Sequence, residues 1–168
     1  GTLTGTIFSG RSDVTFTGIT YTKAETGVVL TVTGSVAGNV SGKTGDSNAF
    51  NVVAGAADAT ASTLTPTSAS IVADGSTTQV LTVTAKDANG NNLTAGGSTV
   101  TITKSSGTGT ISSVTDNSNG TYTATVTSPT AAGSGVFVAT LGAAAVKSGT
   151  GSQTQSTITY TAGTATKL

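Results

Sequence analysis

The amino-acid sequence repeats itself at an offset of 108 positions. Three pairs of segments match at this offset without a gap: 22–34 with 130–142, 1–3 with 109–111, and 50–55 with 158–163. A repeat of this length is too long for a solenoid unit and has the size of a whole β-sandwich domain. The chain is therefore expected to belong to an array of similar domains.

The repeat predicts three parts of unequal size. Residues 1–56 are expected to be the C-terminal half of one domain, 57–162 a complete domain, and 163–168 the start of a next repeat or a linker. The Ala-rich residues 54–61 are expected to link the first two parts. Four strands alone leave the inner face of a sandwich bare. The missing strands, equivalent to 57–108, would come from a longer chain or from another subunit of a fibre.

Alternation of apolar and hydroxyl side chains predicts β-strands along the whole chain. Leu81 and Val83 alternate with Thr82 and Thr84, which is typical of a half-buried strand. Strands are expected at 1–7, 14–21, 27–33 and 49–53, and then at 63–65, 68–72, 79–86, 98–103, 109–114, 121–127, 135–141 and 156–160. Asp-Gly and Asn-Gly pairs between them suit hairpin turns. The predicted fold class is all-β, an immunoglobulin-like β-sandwich in tandem, with one partial and one complete domain.

Composition excludes several functions. His, Cys, Met and Trp are absent, only 8% of the residues are charged, and the formal net charge is zero. Without His and Cys the chain lacks the usual general base, the thiolate nucleophile and the common zinc ligands. Without a basic surface it has no means of attracting nucleic acid or anionic lipid, and no apolar run approaches the ~20 residues of a membrane helix. We therefore expect that the protein is not an enzyme, has no nucleic-acid partner and does not insert into a membrane.

The predicted complete domain resembles the bacterial immunoglobulin-like repeats of invasin- and intimin-type surface adhesins. The resemblance rests on residues 70–75, 81–91, 100–102, 119–124 and 136–139. It implies extracellular tandem domains that act as stalks for an adhesive tip or as building blocks of surface layers and fibres. The lectin-like tip module with cysteines that such adhesins carry has no counterpart here, so the resemblance does not extend to a receptor-binding tip.

Residues 87–92 place oxygen-bearing side chains around a glycine, in the order Asp-Ala-Asn-Gly-Asn-Asn. Asp87, Asn89 and Asn91 are therefore weak candidates for a calcium site, because hard cations prefer oxygen ligands. The segment lacks the acidic density and the closing Glu of an EF-hand, and a strand-connecting turn is the favoured interpretation. Asp58 and Asp74 could likewise be cation ligands, but they are expected to be capping or solvated residues. No other cofactor is expected.

Catalytic residues are not expected anywhere in the sequence. Asp13 and Glu25 are too isolated to form an acid/base pair, and no nucleophile elbow accompanies them. Residues 105–109 contain glycines but lack the Lys-Thr ending of a phosphate-binding loop, and they are expected to be a plain connecting loop.

The sequence gives little support for covalent modification of side chains or for an aromatic surface on which a ligand could stack. Lys86 and Lys104 are candidates for an intramolecular isopeptide bond with an Asn side chain, but both are expected to be solvated residues at strand ends. The glycosylation triplets at Asn39, Asn92 and Asn119 are frequent by chance in a chain this rich in Ser and Thr. Six of the seven aromatic residues are expected to be core or corner residues and to form no stacking platform: Phe16, Tyr21, Phe50, Tyr122, Phe137 and Tyr160.

The sequence thus predicts a structural repeat of an extracellular bacterial surface protein, located at the cell surface or secreted. Its role would be an adhesin stalk or the building block of a surface fibre, and its partners would be neighbouring repeats or identical subunits. The alternative is a carbohydrate- or protein-binding adhesion module that recognises a host or cell-surface ligand. That module would use loops at one end of the sandwich, 87–92 and 142–153.

Overall fold

A computed structural model describes residues 16–34, 42–149 and 151–164. The chain forms two compact units, residues 1–53 and 54–168. The described part of the N-terminal unit contains β1 (Glu25–Val28), β2 (Thr31–Thr33), β3 (Thr44–Asp46) and β4 (Phe50–Val52). The described part of the C-terminal unit contains β5 (Thr63–Thr65), β6 (Ser68–Val72), β7 (Thr78–Thr84), β8 (Val100–Gly107), β9 (Thr110–Ile111), β10 (Thr115–Asp116), β11 (Thr121–Thr127), β12 (Gly133–Leu141), β13 (Ala144–Ala145) and β14 (Gln155–Thr161).

The C-terminal unit has two sheets. In the first, the strand order is β10-β11-β7-β5, and β9 also pairs with β11. In the second, the order is β13-β12-β14-β6, and β8 also pairs with β12. Every pairing is antiparallel except that of β6 with β14, which is parallel. The all-β, immunoglobulin-like fold class is confirmed.

Strict twofold alternation builds the core of this unit. Along β11 and β12, buried residues alternate with half-buried ones, so that one face of each strand points inward. The buried cluster draws on both sheets and includes Leu64, Leu81, Val83, Ile102, Tyr122, Val126, Phe137, Ile158 and Tyr160. Because Thr supplies many of the outward positions, a chain with few charged residues still presents a polar surface.

The path of the chain separates its two ends in this unit. β5 pairs antiparallel with β7, and the turn at residues 73–77 reverses the chain between β6 and β7. β5 and β6 therefore run in the same direction. Thr161, at the end of β14, pairs with Val72, at the end of β6. The chain therefore enters beside the start of β5 and leaves beside the end of β6. We call these the entry end and the exit end of the C-terminal unit.

Several predicted boundaries are wrong. Residues 16–20, expected in a strand, form none, and the predicted strand 27–33 is divided between β1 and β2. The expected loop at 105–109 is strand as far as Gly107, because a bulge opposite Val136 and Phe137 lets β8 follow β12 to its first residues. Lys104 consequently lies within β8 and not at its end. The predicted strand 1–7 lies outside the described residues.

The N-terminal unit consists, in its described part, of two small antiparallel sheets. β1 pairs with β4 across a register shift, and β2 pairs with β3. Glu25 of β1 lies opposite Val52 of β4, and the residues 108 positions later, Gly133 and Tyr160, are also partners. The repeat found in the sequence therefore recurs as a strand pairing. The predicted domain limits 1–56, 57–162 and 163–168 remain predictions.

The alternation along β7 gives a matched pair of substitutions. Leu81 is fully buried, whereas its neighbour Val80 points the other way and is 46% exposed. Leu81→Ala is expected to lower the free energy of unfolding of the C-terminal unit by about 2–5 kcal/mol, since it leaves a cavity. Val80→Ala is expected to cost less than about 1 kcal/mol. Urea denaturation followed by circular dichroism measures both, and equal costs would show that β7 does not face a core as described.

Candidate functional site

The loop after β7 is organised by the side chain of Asp87, which is only 3% exposed. Its Oδ1 accepts hydrogen bonds from the backbone N–H groups of Asn89 and Asn91, each at 2.9 Å. Its Oδ2 accepts from the Gly55 N–H at 2.9 Å and from Asn91 Nδ2 at 2.9 Å. Gly90, with a φ of 84°, supplies the left-handed residue that the turn requires.

These donors determine the chemistry of the carboxylate. An ionised carboxylate offers about four lone-pair sites, and the three backbone N–H groups and the Asn91 amide match that number. The hydrogen bond from the Asn91 side chain, followed by that from the Gly55 N–H, lowers the pKa of Asp87 to about 2, against the opposing effect of desolvation. Asp87 is therefore a buried anion held by N–H donors.

This geometry favours the strand-connecting turn over a calcium site. Asn89 contributes its N–H to Asp87, and Asn91 contributes both its N–H and its side-chain amide. A cation on Asp87 would have to displace these donors from the carboxylate oxygens. Within the described ranges, no three acidic side chains gather into a group that could hold a metal ion. Calcium at Asp87, Asn89 and Asn91 remains an untested prediction.

The same hydrogen bonds bind the predicted linker to the C-terminal unit. Besides the Gly55 bond, Asp58 donates its N–H to the Lys86 carbonyl at 2.7 Å. The buried Ser62 donates its hydroxyl to the Asp58 carbonyl at 2.6 Å and accepts from the Lys86 N–H at 2.9 Å. Asp58 Oδ1 in turn accepts the N–H groups of Thr60 and Ala61. Residues 55–62 are thus a bonded part of the entry end.

The second loop considered for binding, 142–153, lies beside the same segment. Lys147 donates its N–H to the Ala59 carbonyl at 3.1 Å, and Gly149 donates to the Thr60 carbonyl at 2.7 Å. Val146 is fully buried beneath the loop. Loop 87–92 and the described residues of loop 142–153 therefore both adjoin residues 55–62 at the entry end. Neither loop contains an aromatic residue.

Asp74 performs a similar task at the exit end. Its carboxylate accepts the N–H groups of Ser76 and Thr77, the Thr77 hydroxyl, and the hydroxyl of Ser128 on the neighbouring segment. The Thr77 hydroxyl, followed by the two backbone N–H groups, holds the pKa of Asp74 well below its usual range. Asp74 thus caps the turn between β6 and β7, as the capping interpretation predicted, and the Ser128 bond ties that turn to the end of β11.

The remaining candidates that lie in the described ranges do not form a reactive group. Glu25 is exposed, forms an ion pair with Lys23 at 3.0 Å and accepts a hydrogen bond from the Tyr21 hydroxyl at 2.7 Å. Lys104 donates to the Gly109 carbonyl at 2.9 Å. Asn119 Oδ1 accepts from the Thr121 hydroxyl and N–H, within its own turn. Asp13 and Asn39 lie outside the described residues.

Of the three tyrosines expected to be core or corner residues, Tyr122 and Tyr160 lie in the core, and the structure shows what their hydroxyl groups do. The Tyr122 hydroxyl accepts the Ser98 N–H at 2.9 Å, and the Tyr160 hydroxyl donates to the Thr108 carbonyl at 3.1 Å. Both rings are almost fully buried, as are Phe137 and Ile158. Phe50 and Tyr21 differ from expectation, since they are 39% and 41% exposed.

The described residues include no helix that could cross a membrane.

Comparison with known proteins gives a consistent picture. Residues 58–163 match the family model described as invasin, domain 3. The chain is similar to the structure of invasin, a bacterial integrin-binding protein, with 28% identity and a TM-score of 0.51 over 74% of this chain and 24% of invasin. It is also similar to the adhesin InvE of Yersinia pseudotuberculosis, with 31% identity and a TM-score of 0.46 over 62% of this chain and 27% of InvE.

A further similarity is to a glycosyl hydrolase family 2 member from Bacteroides cellulosilyticus, with 20% identity and a TM-score of 0.50 over 82% of this chain and 18% of the enzyme. At this identity the similarity concerns the fold alone. No match to the sequence is found among curated proteins. The chain spans about a quarter of the length of invasin and of InvE.

The lowered pKa of Asp87 predicts a specific loss of stability in acid. Its folded pKa of about 2 lies below the ordinary 3.8, so the ionised form stabilises the fold above pH 4, and this contribution disappears as the pH falls from about 4 toward 2. Asp87→Asn is expected to unfold more easily at pH 7 and to lose less stability than the parent between pH 4 and pH 2. Thermal unfolding across this range is the measurement. Asn89→Ala keeps the backbone donor and is expected to retain the parental slope; an unchanged slope in Asp87→Asn would contradict the assignment.

Calcium provides a second test of the same loop. Because N–H donors occupy the Asp87 carboxylate, millimolar CaCl₂ is expected to leave the melting temperature unchanged relative to MgCl₂ at equal ionic strength. A calcium-specific rise that Asn89→Ala and Asp87→Asn abolish would establish the metal site and overturn the turn interpretation.

Proposed function

Because the chain belongs to the invasin domain 3 family, we propose that it is a structural repeat of an extracellular bacterial surface protein, giving length and carrying tension in an adhesin stalk or surface fibre. The family is one of adhesin domains, and the chain is accordingly not an enzyme. Residues 57–162 are the proposed complete repeat, residues 1–56 the second half of another, and 163–168 the start of a next repeat or a linker. The proposed location is the cell surface or a secreted fibre.

The observation that carries this proposal is the parallel pairing of β6 with β14. The ladder runs from Ser68 opposite Thr157 to Val72 opposite Thr161. Tension on the chain pulls β6 toward the entry end and β14 toward the exit end, along the strand axes and in opposite directions. The ladder is then loaded in shear, so that its hydrogen bonds must break together and not one after another. Such a connection resists force better than a hairpin that opens from one end.

The same path supports a spacing role. Since the chain enters and leaves at opposite ends of the unit, each repeat adds its full strand length to a stalk. β12, the longest strand among the described residues, has nine residues, which corresponds to about 30 Å at about 3.3 Å per residue. The carboxylates of Asp87 and Asp74 fasten the turns at the two ends, where such tension would enter and leave.

A binding role is the second candidate, and the invasin similarity favours it, because that protein is described as integrin-binding. The proposed contact surface is the entry end, where loop 87–92 and the described residues of loop 142–153 adjoin residues 55–62. Against this role, these loops offer no aromatic residue, and their charged residues beyond Asp87 are limited to Lys147. Binding of the chain to a host-protein or glycan array, lost when both loops are replaced by short Gly-Ser turns, would favour binding over spacing.

Proline substitutions in β6 test the mechanical proposal. The Thr157 N–H donates to the Thr67 carbonyl and the Ala73 N–H to the Thr161 carbonyl, so the backbone N–H and C=O groups of alternate β6 residues point toward β14. The Ala69 N–H therefore points toward β14, whereas the Ser70 N–H points toward the outer edge of the sheet. Ala69→Pro is expected to lower the rupture force of the C-terminal unit in single-molecule stretching and to cost at least about 1 kcal/mol more than Ser70→Pro at equilibrium.

Ser70→Pro serves as the matched control, because an edge strand tolerates proline where its N–H faces solvent. Equal rupture forces for the parent and Ala69→Pro, with both variants folded, would show that the β6-β14 ladder does not carry the tension.

A further inference from the structure

The second sheet of the C-terminal unit has one long edge strand. Within the described part of the chain, β8 pairs with β12 alone, so its other side lies at the border of the sheet. β8 has eight residues, whereas the other strands at the borders of the two sheets have two to five residues: β5, β6, β9, β10 and β13. A long edge strand offers a row of backbone groups with which a strand of another molecule can pair.

The register shows which backbone groups of β8 point outward. Gly142 donates its N–H to the Thr99 carbonyl at 2.8 Å, one position beyond the last residue pair of the ladder. Hydrogen-bonded positions alternate along an antiparallel ladder. Thr101 therefore bonds to β12, whereas the N–H and carbonyl groups of Ile102 and Lys104 point to the outer edge.

The composition of β8 favours pairing with a second copy. Its first four residues, 100–103, are all β-branched, which strands prefer. The chain has a formal net charge of zero and only 8% charged residues, so copies do not repel each other at long range. Protection against pairing must therefore come from the edge itself.

Lys104 is the charged residue of this edge. It is the single charged residue between Asp87 and Asp116 in the sequence. In the ladder it lies opposite Phe137, which is fully buried. Because cross-strand partners share one face of a sheet, Lys104 takes a position on the core-facing side of β8, where an apolar residue would ordinarily lie.

The lysine side chain crosses the open side of the sandwich at this edge. Its Nζ donates a hydrogen bond to the Gly109 carbonyl at 2.9 Å, and Gly109 directly precedes β9 of the first sheet. The bond therefore reaches from one sheet to the other. Next to it, Ser105 is an extra residue between two paired positions of the ladder, which is a β-bulge. An inward-facing charge and a bulge are both features by which natural edge strands avoid pairing.

We propose that Lys104 prevents β8 of one copy from pairing antiparallel with β8 of a second copy. A strand added at this edge would separate the Lys104 ammonium group from water, and burial of an unpaired charge costs more free energy than a hydrogen bond contributes. The inference goes beyond the proposed function, because it concerns neighbours beside the chain and not along it. Chains that stand close together on a surface would thereby remain separate.

The test compares Lys104→Val with the parent in the full chain. Sedimentation velocity is expected to show a self-association constant that is higher by about tenfold or more, because the cost of burying the ammonium group is removed. Amide hydrogen exchange at Ile102, followed by NMR, is expected to slow by about tenfold or more in the associated state, since its outward N–H gains a partner strand.

Thr103→Val is the matched control. It adds an apolar side chain to the same strand at an exposed position on the opposite face, and it leaves Lys104 in place. This variant and Lys104→Arg, which keeps the charge, are both expected to behave as the parent does. Lys104→Met keeps an unbranched side chain without the charge, and it replaces Lys104→Val if circular dichroism shows that variant to be unfolded.

Three results would overturn the proposal: no rise in association over the parent, an equal rise in Thr103→Val, or association that leaves exchange at Ile102 unchanged. None of these results bears on the β6-β14 ladder, so the spacing role stands or falls separately.

Discussion

The parallel pairing of β6 with β14 is the contact on which the rest of this protein depends. It joins the beginning of the C-terminal unit to its end, and it closes the sheet that contains β12. Because the two strands run in the same direction, the chain must enter and leave at opposite ends. The proposed spacing and mechanical roles both rest on this one topological fact.

The two ends of the sandwich are stabilised by carboxylates that accept hydrogen bonds from N–H and O–H donors. Asp87 gathers Gly55, Asn89 and Asn91 at the entry end, and Asp74 gathers Ser76, Thr77 and Ser128 at the exit end. A low pKa is commonly associated with functional sites, but structural networks lower pKa values too. Here the carboxylates hold backbone turns, in a chain whose charged residues are otherwise few.

The fold class could be predicted from the sequence because twofold alternation and the 108-residue offset both report on backbone geometry. Leu81 and Val83 were placed correctly by alternation alone. Strand ends were less predictable: the bulge opposite Phe137 extends β8 past the expected loop, and no local signal marks it. Ser62 was missed because one buried serine cannot be distinguished among so many exposed ones. The partner of Asp87, Gly55, is 32 residues away, a distance over which sequence pattern carries no information.

The distance between the points at which the chain enters and leaves the C-terminal unit is the most direct test of this topology. The sequence has no cysteine, so spin labels can be attached through Thr60→Cys and Ala162→Cys alone. Double electron–electron resonance is expected to give a distance of about 30 Å, from about nine strand residues at about 3.3 Å each. A distance of about 10 Å would place both labelled sites at the same end of the sandwich. That result would contradict both the shear geometry and the spacing role.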